Sequence, residues 1–325
     1  MEFNLSGQFF GEQSDEDELQ SEVQKVIIIG GGPAGLAAAL YAARASLEPL
    51  VFTGQDLGGQ AASTSTIENY PGFPDGVGGS EVSELFHKQA ERFGAQFLFD
   101  MVTAVDLSQR PFKVVTDSGE FQAESLILAT GASPNHLGVP GEDRLMNNGV
   151  SYCATCDGWF FQDKRVVVVG GGDSALEEGI LLTHYARKVD VIHRRDDLRA
   201  GAILQDRANS NEKINFVFSS VLEEIIGEDK VESVRLRDKK TGEKSIHATD
   251  GVFIFIGHTP NTQLYTGQVE MDDKGYVVVD KLMQTSVPGV FAAGEAADPH
   301  FRQVATSVGM GAGAAIQATR FLESQ

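Results

Sequence analysis

Two stretches of the chain share one pattern of hydrophobic and small residues. Each has a run of β-branched residues, a glycine turn and then a segment rich in small and apolar residues: VIIIGGGPAGLAAALYAA from Val26 and VVVVGGGDSALEEGILLT from Val166. A short β-branched run that ends in glycine predicts a buried strand, and the segment after it predicts a helix packed on that strand. The pattern therefore predicts two strand–turn–helix units in an α/β protein.

The glycines of the two turns have a spacing that suits phosphate binding. They read G-x-G-x-x-G at Gly30, Gly32 and Gly35, and G-x-G-x-x-A at Gly170, Gly172 and Ala175. In such turns the first glycine makes the bend, the second lets the backbone approach a pyrophosphate, and the third small residue allows close helix packing. A single copy also occurs in turns that bind no ligand. Two copies after equivalent strands predict two dinucleotide sites.

The strand that follows each helix ends differently in the two units. After the second motif comes KVDVIHRRDDLR, where the usual ribose-binding acid is replaced by His193, Arg194 and Arg195, with Arg199 following. Arginine there suits the 2′-phosphate of NADPH, although a solvated basic patch would have the same composition. After the first motif, EPLVFTG ends in Thr53 and Gly54 without an acid. We therefore expect NADPH at the second site and a flavin dinucleotide, FAD, at the first.

The C-terminal part of the chain supplies further candidates for the flavin site. TSVPGVFAAGEAADP predicts a turn and an apolar strand that ends at Gly294, and Glu295 beyond it can accept hydrogen bonds from sugar hydroxyls. The next segment, FRQVATSVGMGAGAAIQATRFL, predicts a helix whose amino end points towards the flavin. If both ends of the chain build one site, the second dinucleotide unit is an insertion.

This reasoning predicts an α/β fold with two Rossmann-like dinucleotide-binding domains. The NADPH domain, residues 135–257, is inserted into a discontinuous FAD domain, residues 24–134 and 258–325. The seams fall at ATGASPN and IGHTPN, which follow apolar strands and contain glycine and proline. Residues 1–23 precede both domains as an acidic tail, expected to be flexible because it has little to bury.

Charge and hydropathy narrow the classes of partner. With 26 Lys and Arg against 46 Asp and Glu, the formal net charge is -20, which disfavours nucleic acid and anionic membranes as partners. The acidic tail lacks the basic and apolar segments of a signal peptide. The uncharged run from Val26 to Ala43 has the length of a membrane span, but its glycine–proline centre divides it. We expect a soluble, cytoplasmic protein.

Both cysteines of the chain stand in SYCATCDGWF, where Cys153 and Cys156 precede Asp157. A structural zinc ion needs about four ligands and finds two here. Two inert buried thiols are a second interpretation, which a turn with glycine and aspartate disfavours. A redox pair is the third, because Cys-x-x-Cys spacing lets the sulfurs meet and favours thiolate chemistry. Asp157 then exchanges protons with the pair, unless it only caps a turn.

A redox disulfide beside an NADPH site needs a mediator, because NADPH gives hydride whereas thiols exchange with disulfides. Flavin accepts hydride and passes two electrons onward. The predicted FAD site supplies this link between NADPH and the cysteines.

In their order along the chain, several motifs resemble those of the low-molecular-weight thioredoxin reductases. They are GGGPAG, GGQ, ENYPGFP, ATGA, CATCDG, GGGDSALEE, HRRDDLRA, GHTPN and RQVAT, and the resemblance covers about residues 24–323. It implies a homodimeric flavoprotein disulfide reductase that passes electrons from NADPH through FAD and the Cys153–Cys156 disulfide to oxidised thioredoxin. Cys156 would face the flavin, Cys153 would attack the substrate disulfide, and Asp157 would donate and accept protons.

The motifs and the resemblance together give the expected cofactor contacts, with no metal among them. For FAD the residues are Gly30, Gly32, Pro33, Ala34, Gly35, Gln60, Asn69, Ala129, Thr130, Gly131, Gly294, Glu295, Arg302, Gln303 and Ala305. For NADPH they are Gly170, Gly172, Asp173, Ser174, Ala175, His193, Arg194, Arg195 and Arg199.

One departure from the family and two alternative functions stay open from the sequence. The family ends its flavin strand with Ala-Gly-Asp, whereas this chain has Ala-Gly-Glu at Glu295, which leaves the role of that carboxylate undecided. The same relay can serve another dithiol protein, such as a peroxiredoxin or a glutaredoxin-like partner. A non-catalytic flavin redox sensor is the other alternative, and the arginine cluster argues against it.

The predicted layout also has a mechanical consequence. The cysteines and the NADPH motif fall in the inserted domain, whereas the flavin belongs to the other. We therefore predict that the inserted domain turns on its two seams during turnover.

Overall fold

The computed structural model describes residues 19–55, 57–64 and 66–325, so most of the predicted acidic tail lies outside the described residues. The chain divides into two compact units. The first comprises the described residues of Met1–Thr66, Tyr70–Ala132 and Pro260–Gln325, and the second comprises Ile67–Asn69 and Ser133–Thr259. Among these residues, no helix has the length and apolar character needed to cross a membrane.

The described residues contain seventeen β-strands and seven α-helices, numbered in chain order. The strands are β1 (Val23–Ile29), β2 (Leu50–Phe52), β3 (Gln96–Leu98), β4 (Val102–Asp106), β5 (Phe112–Thr116), β6 (Glu120–Leu128), β7 (Ala132–Pro134), β8 (Val150–Ser151), β9 (Arg165–Val169), β10 (Lys188–Ile192), β11 (Ile214–Val217), β12 (Ser220–Ile226), β13 (Ser233–Asp238), β14 (Lys244–Ala248), β15 (Gly251–Ile254), β16 (His258–Pro260) and β17 (Val290–Ala292). The described α-helices are α1 (Pro33–Arg44), α2 (Gly59–Ala62), α3 (Gly79–Glu91), α4 (Ala154–Asp157), α5 (Asp173–Leu182), α6 (Ala202–Asn209) and α7 (Val304–Glu323).

A seven-stranded sheet forms the centre of the first unit, in the order β3-β2-β1-β6-β5-β4, with β17 also paired to β6. The β1, β2, β3, β6 and β17 pairings are parallel, whereas β4, β5 and the first half of β6 form an antiparallel meander. The two predicted strands Val26–Ile29 and Val290–Ala292 lie in this sheet, although they come from opposite ends of the chain. The unit is therefore discontinuous in sequence.

Helices α1 and α7 pack closely against each other in the first unit because both are rich in small residues. Buried alanines of α1 and of α7 share one hydrophobic cluster with β1 and β6. A Cβ atom on Gly311 would lie 2.0 Å from the carbonyl oxygen of Ala34, so only glycine permits this approach. The small-residue pattern read from the sequence is thus the packing surface of two helices.

The second unit contains a five-stranded sheet in the order β11-β10-β9-β15-β8, with parallel pairing throughout. Its strand β9 runs into the second glycine turn and then into α5, as predicted from VVVVGGGDSALEE. A separate three-stranded antiparallel sheet, β12-β13-β14, follows in the chain. The predicted α/β class with two strand–glycine turn–helix units is confirmed.

The segments predicted as seams pair with each other in a two-stranded ladder of β7 and β16. The amide of Asn135 donates to the carbonyl of Gly257 at 3.0 Å, and the amide of Asn261 donates to the carbonyl of Gly131 at 2.9 Å. Within these segments, β7 and β16 therefore have extended backbone.

Candidate active site

Cys153 and Cys156 form a disulfide, with their Cα atoms 5.3 Å apart. Cys153 is the residue before α4, and its Sγ accepts a hydrogen bond of 3.1 Å from the backbone amide of Cys156. The structure thus supports the redox interpretation over a zinc site or two inert thiols. Because an amide donor favours the negative form of sulfur, this contact stabilises a Cys153 thiolate once the disulfide opens.

Asp157 lies beside the disulfide, where its carboxylate has a single side-chain donor among the described contacts. Ser151 Oγ donates to Asp157 Oδ2 at 2.5 Å, and the same Oγ accepts from the amide of Cys153 at 3.1 Å. Burial raises the pKa of Asp157, and the hydrogen bond from Ser151 opposes this effect without cancelling it. A carboxyl with a raised pKa suits proton exchange with a nearby thiol.

Ser151 is a site residue that the sequence analysis missed. It stands two positions before Cys153 at the end of β8, with no motif of its own to mark it. The parallel pairing of β8 with β15 fixes its backbone. Only the folded structure shows that one hydroxyl joins the carboxyl and the cysteine backbone.

A buried carboxylate holds the residue just before the disulfide. Glu142, 1% exposed, accepts hydrogen bonds from the amides of Leu137, Gly138 and Val139 at 2.9, 2.7 and 3.2 Å. Tyr152 adds a fourth donor at 2.6 Å. Burial opposes ionisation of Glu142, but these donors outweigh it and hold its pKa below the usual value. The chain entering the disulfide is therefore anchored to an ionised, fully satisfied acid.

The disulfide is linked to the helix of the second glycine turn and has exposed aromatic residues nearby in sequence. The amide of Ala154 donates to Glu178 Oε2 at 3.2 Å, so the start of α4 is tied to α5, the helix of the second glycine turn. Further along the chain, Trp159 and Phe160 are 57% and 42% exposed. The disulfide segment is thus tied to the glycine-turn helix and is followed in sequence by an exposed aromatic pair.

The second glycine turn leaves room for a ligand at the amino end of α5. Gly172 precedes the helix with extended backbone and no side-chain cap, and a Cβ atom on it would meet nothing within 4 Å. Asp173 does not cap the helix; its Oδ1 accepts from the amide of Gly201 at 2.7 Å. The first-turn amides and this open space fit the pyrophosphate of a dinucleotide.

The predicted cationic residues gather beside this turn. The amide of Arg199 donates to the carbonyl of Gly171 at 2.7 Å, and Gly171 packs directly on the His193 ring. Burial lowers the pKa of His193, which favours the neutral form of the ring against which Gly171 packs. Arg194 and Arg195 are exposed, as is Arg199. Three exposed arginines in a segment whose backbone contacts a phosphate-type turn fit a 2′-phosphate.

The first glycine turn has the same open geometry at the start of α1. Gly32 precedes α1 without a side-chain cap, the first turn carries no acid, and a Cβ atom on Gly32 would meet nothing within 4 Å. The GGQ segment packs against this turn, since the amide of Gly58 donates to the carbonyl of Gly31 at 2.8 Å. This arrangement fits a second pyrophosphate and brings α2 to its side.

Glu295 lies near the first glycine turn, as expected for a contact to the sugar or ribityl chain. Gln60 Nε2 donates to its Oε2 at 3.4 Å, and Gly294 packs against the Cβ atom of Ala34. Burial raises the pKa of Glu295, while Gln60 and the charge of Arg302 act in the opposite direction. The longer side chain thus reaches the same neighbourhood as the predicted residues Gln60 and Arg302.

Other predicted FAD residues are positioned by contacts that the sequence did not reveal. Thr130 Oγ1 lies 2.6 Å from the hydroxyl of buried Tyr265, and the amide of Ala129 donates to the carbonyl of Ile29 at 2.8 Å. Asp298 accepts from the amides of the loop that contains Arg302. These contacts place Thr130 and Arg302 at the ends of two elements of the first unit.

The remaining predicted residues have different surroundings. Gln303 and Ala305 lie at the start of α7, where the amide of Gln303 donates to Thr306 Oγ1 at 3.3 Å. Asn69 belongs to the short segment Ile67–Asn69, which groups with the second unit. A contact between Asn69 and FAD therefore stays a prediction.

Comparison with known proteins agrees with the arrangement of two nucleotide turns and one disulfide. Residues 24–311 match the pyridine nucleotide-disulphide oxidoreductase family. A thioredoxin reductase of Mycolicibacterium smegmatis is 51% identical over 93% of this chain and 98% of its own length. One from Rickettsia conorii is 48% identical over 92% of this chain and 98% of its own length. The crystal structure of thioredoxin reductase from Streptococcus pyogenes has a TM-score of 0.88 at 44% identity, covering 92% of this chain and 98% of that one.

The chain therefore belongs to the pyridine nucleotide-disulphide oxidoreductases, and within them to the thioredoxin reductases. Its family uses FAD and NADPH, and the two open glycine turns described above fit these two dinucleotides.

Proposed function

We propose that this protein is an NADPH-dependent disulfide reductase that passes electrons from NADPH through FAD and the Cys153–Cys156 disulfide to oxidised thioredoxin. The observation that carries the proposal is the Cys153–Cys156 disulfide with Asp157 beside it. A redox sensor would have no need for the arginine cluster next to the second glycine turn. Family membership supports thioredoxin as the substrate over another dithiol protein.

The cofactor contacts are proposed as follows. FAD is held by Gly30, Gly32, Pro33, Ala34, Gly35, Gln60, Asn69, Ala129, Thr130, Gly131, Gly294, Glu295, Arg302, Gln303 and Ala305. NADPH is held by Gly170, Gly172, Asp173, Ser174, Ala175, His193, Arg194, Arg195 and Arg199. When bound, the pair of cofactors supplies hydride transfer and the passage of two electrons to the disulfide.

The chain's own residues then carry out thiol–disulfide exchange. In the reduced protein, the Cys153 thiolate attacks one sulfur of the substrate disulfide, so that a mixed disulfide forms and the other substrate sulfur leaves. Cys156 attacks the Cys153 sulfur of that mixed disulfide, which restores the Cys153–Cys156 bond and releases the second substrate sulfur. Asp157 gives the proton that a leaving sulfur takes up, and the raised pKa of its carboxyl supports this role. Two electrons leave the protein in each cycle.

Trp159 and Phe160 give the substrate an apolar surface to contact. They follow Asp157 and Gly158, shortly after the disulfide in the chain, and are 57% and 42% exposed. Large exposed aromatic residues are common anchors in protein interfaces. An exposed aromatic surface of this kind favours binding of a protein substrate such as thioredoxin over a small disulfide.

The domain boundaries are proposed at residues 24–134 and 258–325 for FAD binding, and 135–257 for NADPH binding. The disulfide and the arginine cluster fall together in the second compact unit, whereas the first glycine turn falls in the other. Because both the disulfide and the nicotinamide must reach one flavin, we propose that the NADPH domain turns on the seams. The family resemblance also supports a homodimer in the cytoplasm.

The test of the proposed function is a coupled assay on the purified protein. We expect a bound-flavin spectrum and NADPH oxidation that depends on added thioredoxin. The Cys153→Ser variant should lose thioredoxin reduction but still bleach its flavin with NADPH, because the first transfer does not need the disulfide. Flavin-bound protein with no thioredoxin-dependent turnover would contradict the proposal.

A further inference from the structure

A hairpin turn lies against residues 194–199 of the second unit, which contain Arg194, Arg195 and Arg199 and are called here the arginine segment. The turn joins β13 to β14 and contains Lys239 and Lys240. Its backbone is tied to the segment through Ser219, because the amide of Lys239 donates to the carbonyl of Ser219 at 2.7 Å and the amide of Ser219 donates to the carbonyl of Arg195 at 3.1 Å. Lys239 Nζ also donates to the carbonyl of Arg194 at 3.4 Å. The turn thus stands at a fixed place beside the arginines.

The turn itself has a defined conformation. Asp238 Oδ1 accepts from the amides of Lys240 and Thr241 at 2.7 and 2.8 Å. These hydrogen bonds fix the backbone of the turn, so the Lys240 side chain extends from a defined position.

Lys240 pairs with the acid that interrupts the arginine segment. Asp196 directly follows Arg195, and its Oδ1 lies 2.6 Å from Lys240 Nζ and accepts from Ser219 Oγ at 2.5 Å. Lys240 first, and Ser219 after it, hold the pKa of Asp196 below its usual value. The carboxylate thus stays ionised, with its charge directed at the lysine.

This pairing has a consequence for the guanidiniums. Arg194, Arg195 and Arg199 make no ion pair with any residue that the structure describes, although an ionised acid follows Arg195 directly. An uncompensated carboxylate at position 196 would compete for these guanidiniums and repel a phosphate of charge near -2. By pairing with Asp196, Lys240 reduces both the competition for the guanidiniums and the repulsion of the phosphate.

We infer that Lys240 strengthens the preference for NADPH by neutralising Asp196, so that Arg194, Arg195 and Arg199 stay available to the 2′-phosphate. Lys240 acts through Asp196 and is a positioning residue, supported by Ser219. This inference rests on the proposed assignment of the arginine cluster to NADPH.

The test compares ligands that differ by the 2′-phosphate. With flavin-loaded protein, binding of 2′,5′-ADP and of 5′-AMP is measured by calorimetry, together with the KM values for NADPH and NADH. Lys240→Ala should weaken 2′,5′-ADP binding and raise the KM for NADPH by about threefold to fivefold, the upper part of the range for an exposed charge interaction, since both side chains of the pair are more than half exposed. Binding of 5′-AMP and the KM for NADH should stay within about twofold, because neither ligand carries the 2′-phosphate.

Paired substitutions separate neutralisation of Asp196 from direct contact with the phosphate. Asp196→Asn added to Lys240→Ala should restore most of the lost affinity, and Lys240→Arg should keep it. Two matched controls are Asp197→Asn added to Lys240→Ala, which should restore less, and Lys244→Ala, which breaks an ion pair with Glu223 on the same sheet and should change nothing.

The outcomes distinguish the inference from the proposed function. If wild-type protein prefers 2′,5′-ADP but Lys240→Ala does not alter that preference, the inference is overturned and the NADPH assignment stands. Failure of Asp196→Asn to restore affinity, or equal rescue by Asp197→Asn, also overturns it. If wild-type protein binds 2′,5′-ADP no better than 5′-AMP, the arginine assignment fails and the inference fails with it.

Discussion

Ser151 connects Asp157 and Cys153, the two residues proposed to act in disulfide exchange. Its hydroxyl donates to the Asp157 carboxylate and accepts from the Cys153 amide, at 2.5 and 3.1 Å. The positions of the Asp157 carboxyl and of the Cys153 backbone are thus linked through one atom. A charge-assisted hydrogen bond of this kind also favours the ionised carboxylate, which limits how far burial raises the pKa of Asp157.

We predict that Ser151→Ala moves the pH profile of thioredoxin reduction. Removing the donor raises the pKa of Asp157 further, since burial then acts unopposed by Ser151. A step that needs the protonated carboxyl loses rate as pH rises through this pKa, so the alkaline decline should move to higher pH. At pH 7, loss of positioning should lower kcat/KM by roughly threefold to tenfold, the worth of one hydrogen bond.

The measurement is kcat/KM for thioredoxin between pH 5 and 9. Ser210→Ala is the matched control, because Ser210 is exposed and its hydroxyl bonds only to the carbonyl of Asp206 in its own helix. An unshifted alkaline limb in Ser151→Ala would show that Ser151 does not tune Asp157.

At the scale of elements, the glycines of a nucleotide-binding turn have two different roles. In the second turn, one glycine is required by the backbone fold and another leaves space for a ligand. Gly170 has φ of +155°, and a Cβ atom on it would lie 2.5 Å from the carbonyl oxygen of Phe255. Gly172 has φ of -96°, and its Cβ position is open. Gly170 is therefore required for the fold. Gly172 is required only for the space that a bound ligand would occupy.

Alanine at each position should therefore give opposite results. Gly172→Ala should keep the free energy of unfolding within about 0.5 kcal/mol but weaken NADPH binding by roughly tenfold or more, because the methyl group occupies the proposed pyrophosphate position. Gly170→Ala should destabilise the protein by about 2 kcal/mol or more, since it combines a backbone clash with an unfavourable φ. Urea unfolding and NADP⁺ titration distinguish the two. A Gly172→Ala protein with normal NADP⁺ affinity would exclude this turn as the pyrophosphate site.

These turns also show what the sequence could predict. The β-branched runs, the glycine spacing and the small-residue helices are local patterns, and each produced the expected strand, turn and helix. The contacts of Thr130 with Tyr265 and of Asp196 with Lys240 join residues that are far apart in the chain. They depend on which strands pair, and no local pattern of the sequence determines that. The sequence therefore predicted the candidate reacting residues, whereas the contacts that position them became visible only in the structure.

At the scale of the whole molecule, the proposed relay requires one flavin to serve two reactants in turn. The seams that would permit this are the paired strands β7 and β16. Each has a glycine with positive φ next to it, Gly131 at +71° and Gly257 at +107°. Glycine at such positions tolerates changes in φ and ψ that other residues resist.

We predict that alanine at the seam residue Gly257 slows turnover without altering the reacting groups, because Gly257 is not among the proposed cofactor contacts. Gly257→Ala should lower kcat with thioredoxin by roughly threefold or more, because a Cβ atom restricts the backbone rotation that the turning domain needs. The KM for NADPH, the flavin content and the redox potential of the disulfide should stay near those of wild type. Gly94→Ala is the matched control: Gly94 also has a positive φ, +96°, and an open Cβ position, but it lies far from the seams in sequence. If Gly94→Ala lowers kcat as much as Gly257→Ala, the loss reflects backbone strain alone, and rotation on the seams does not limit turnover.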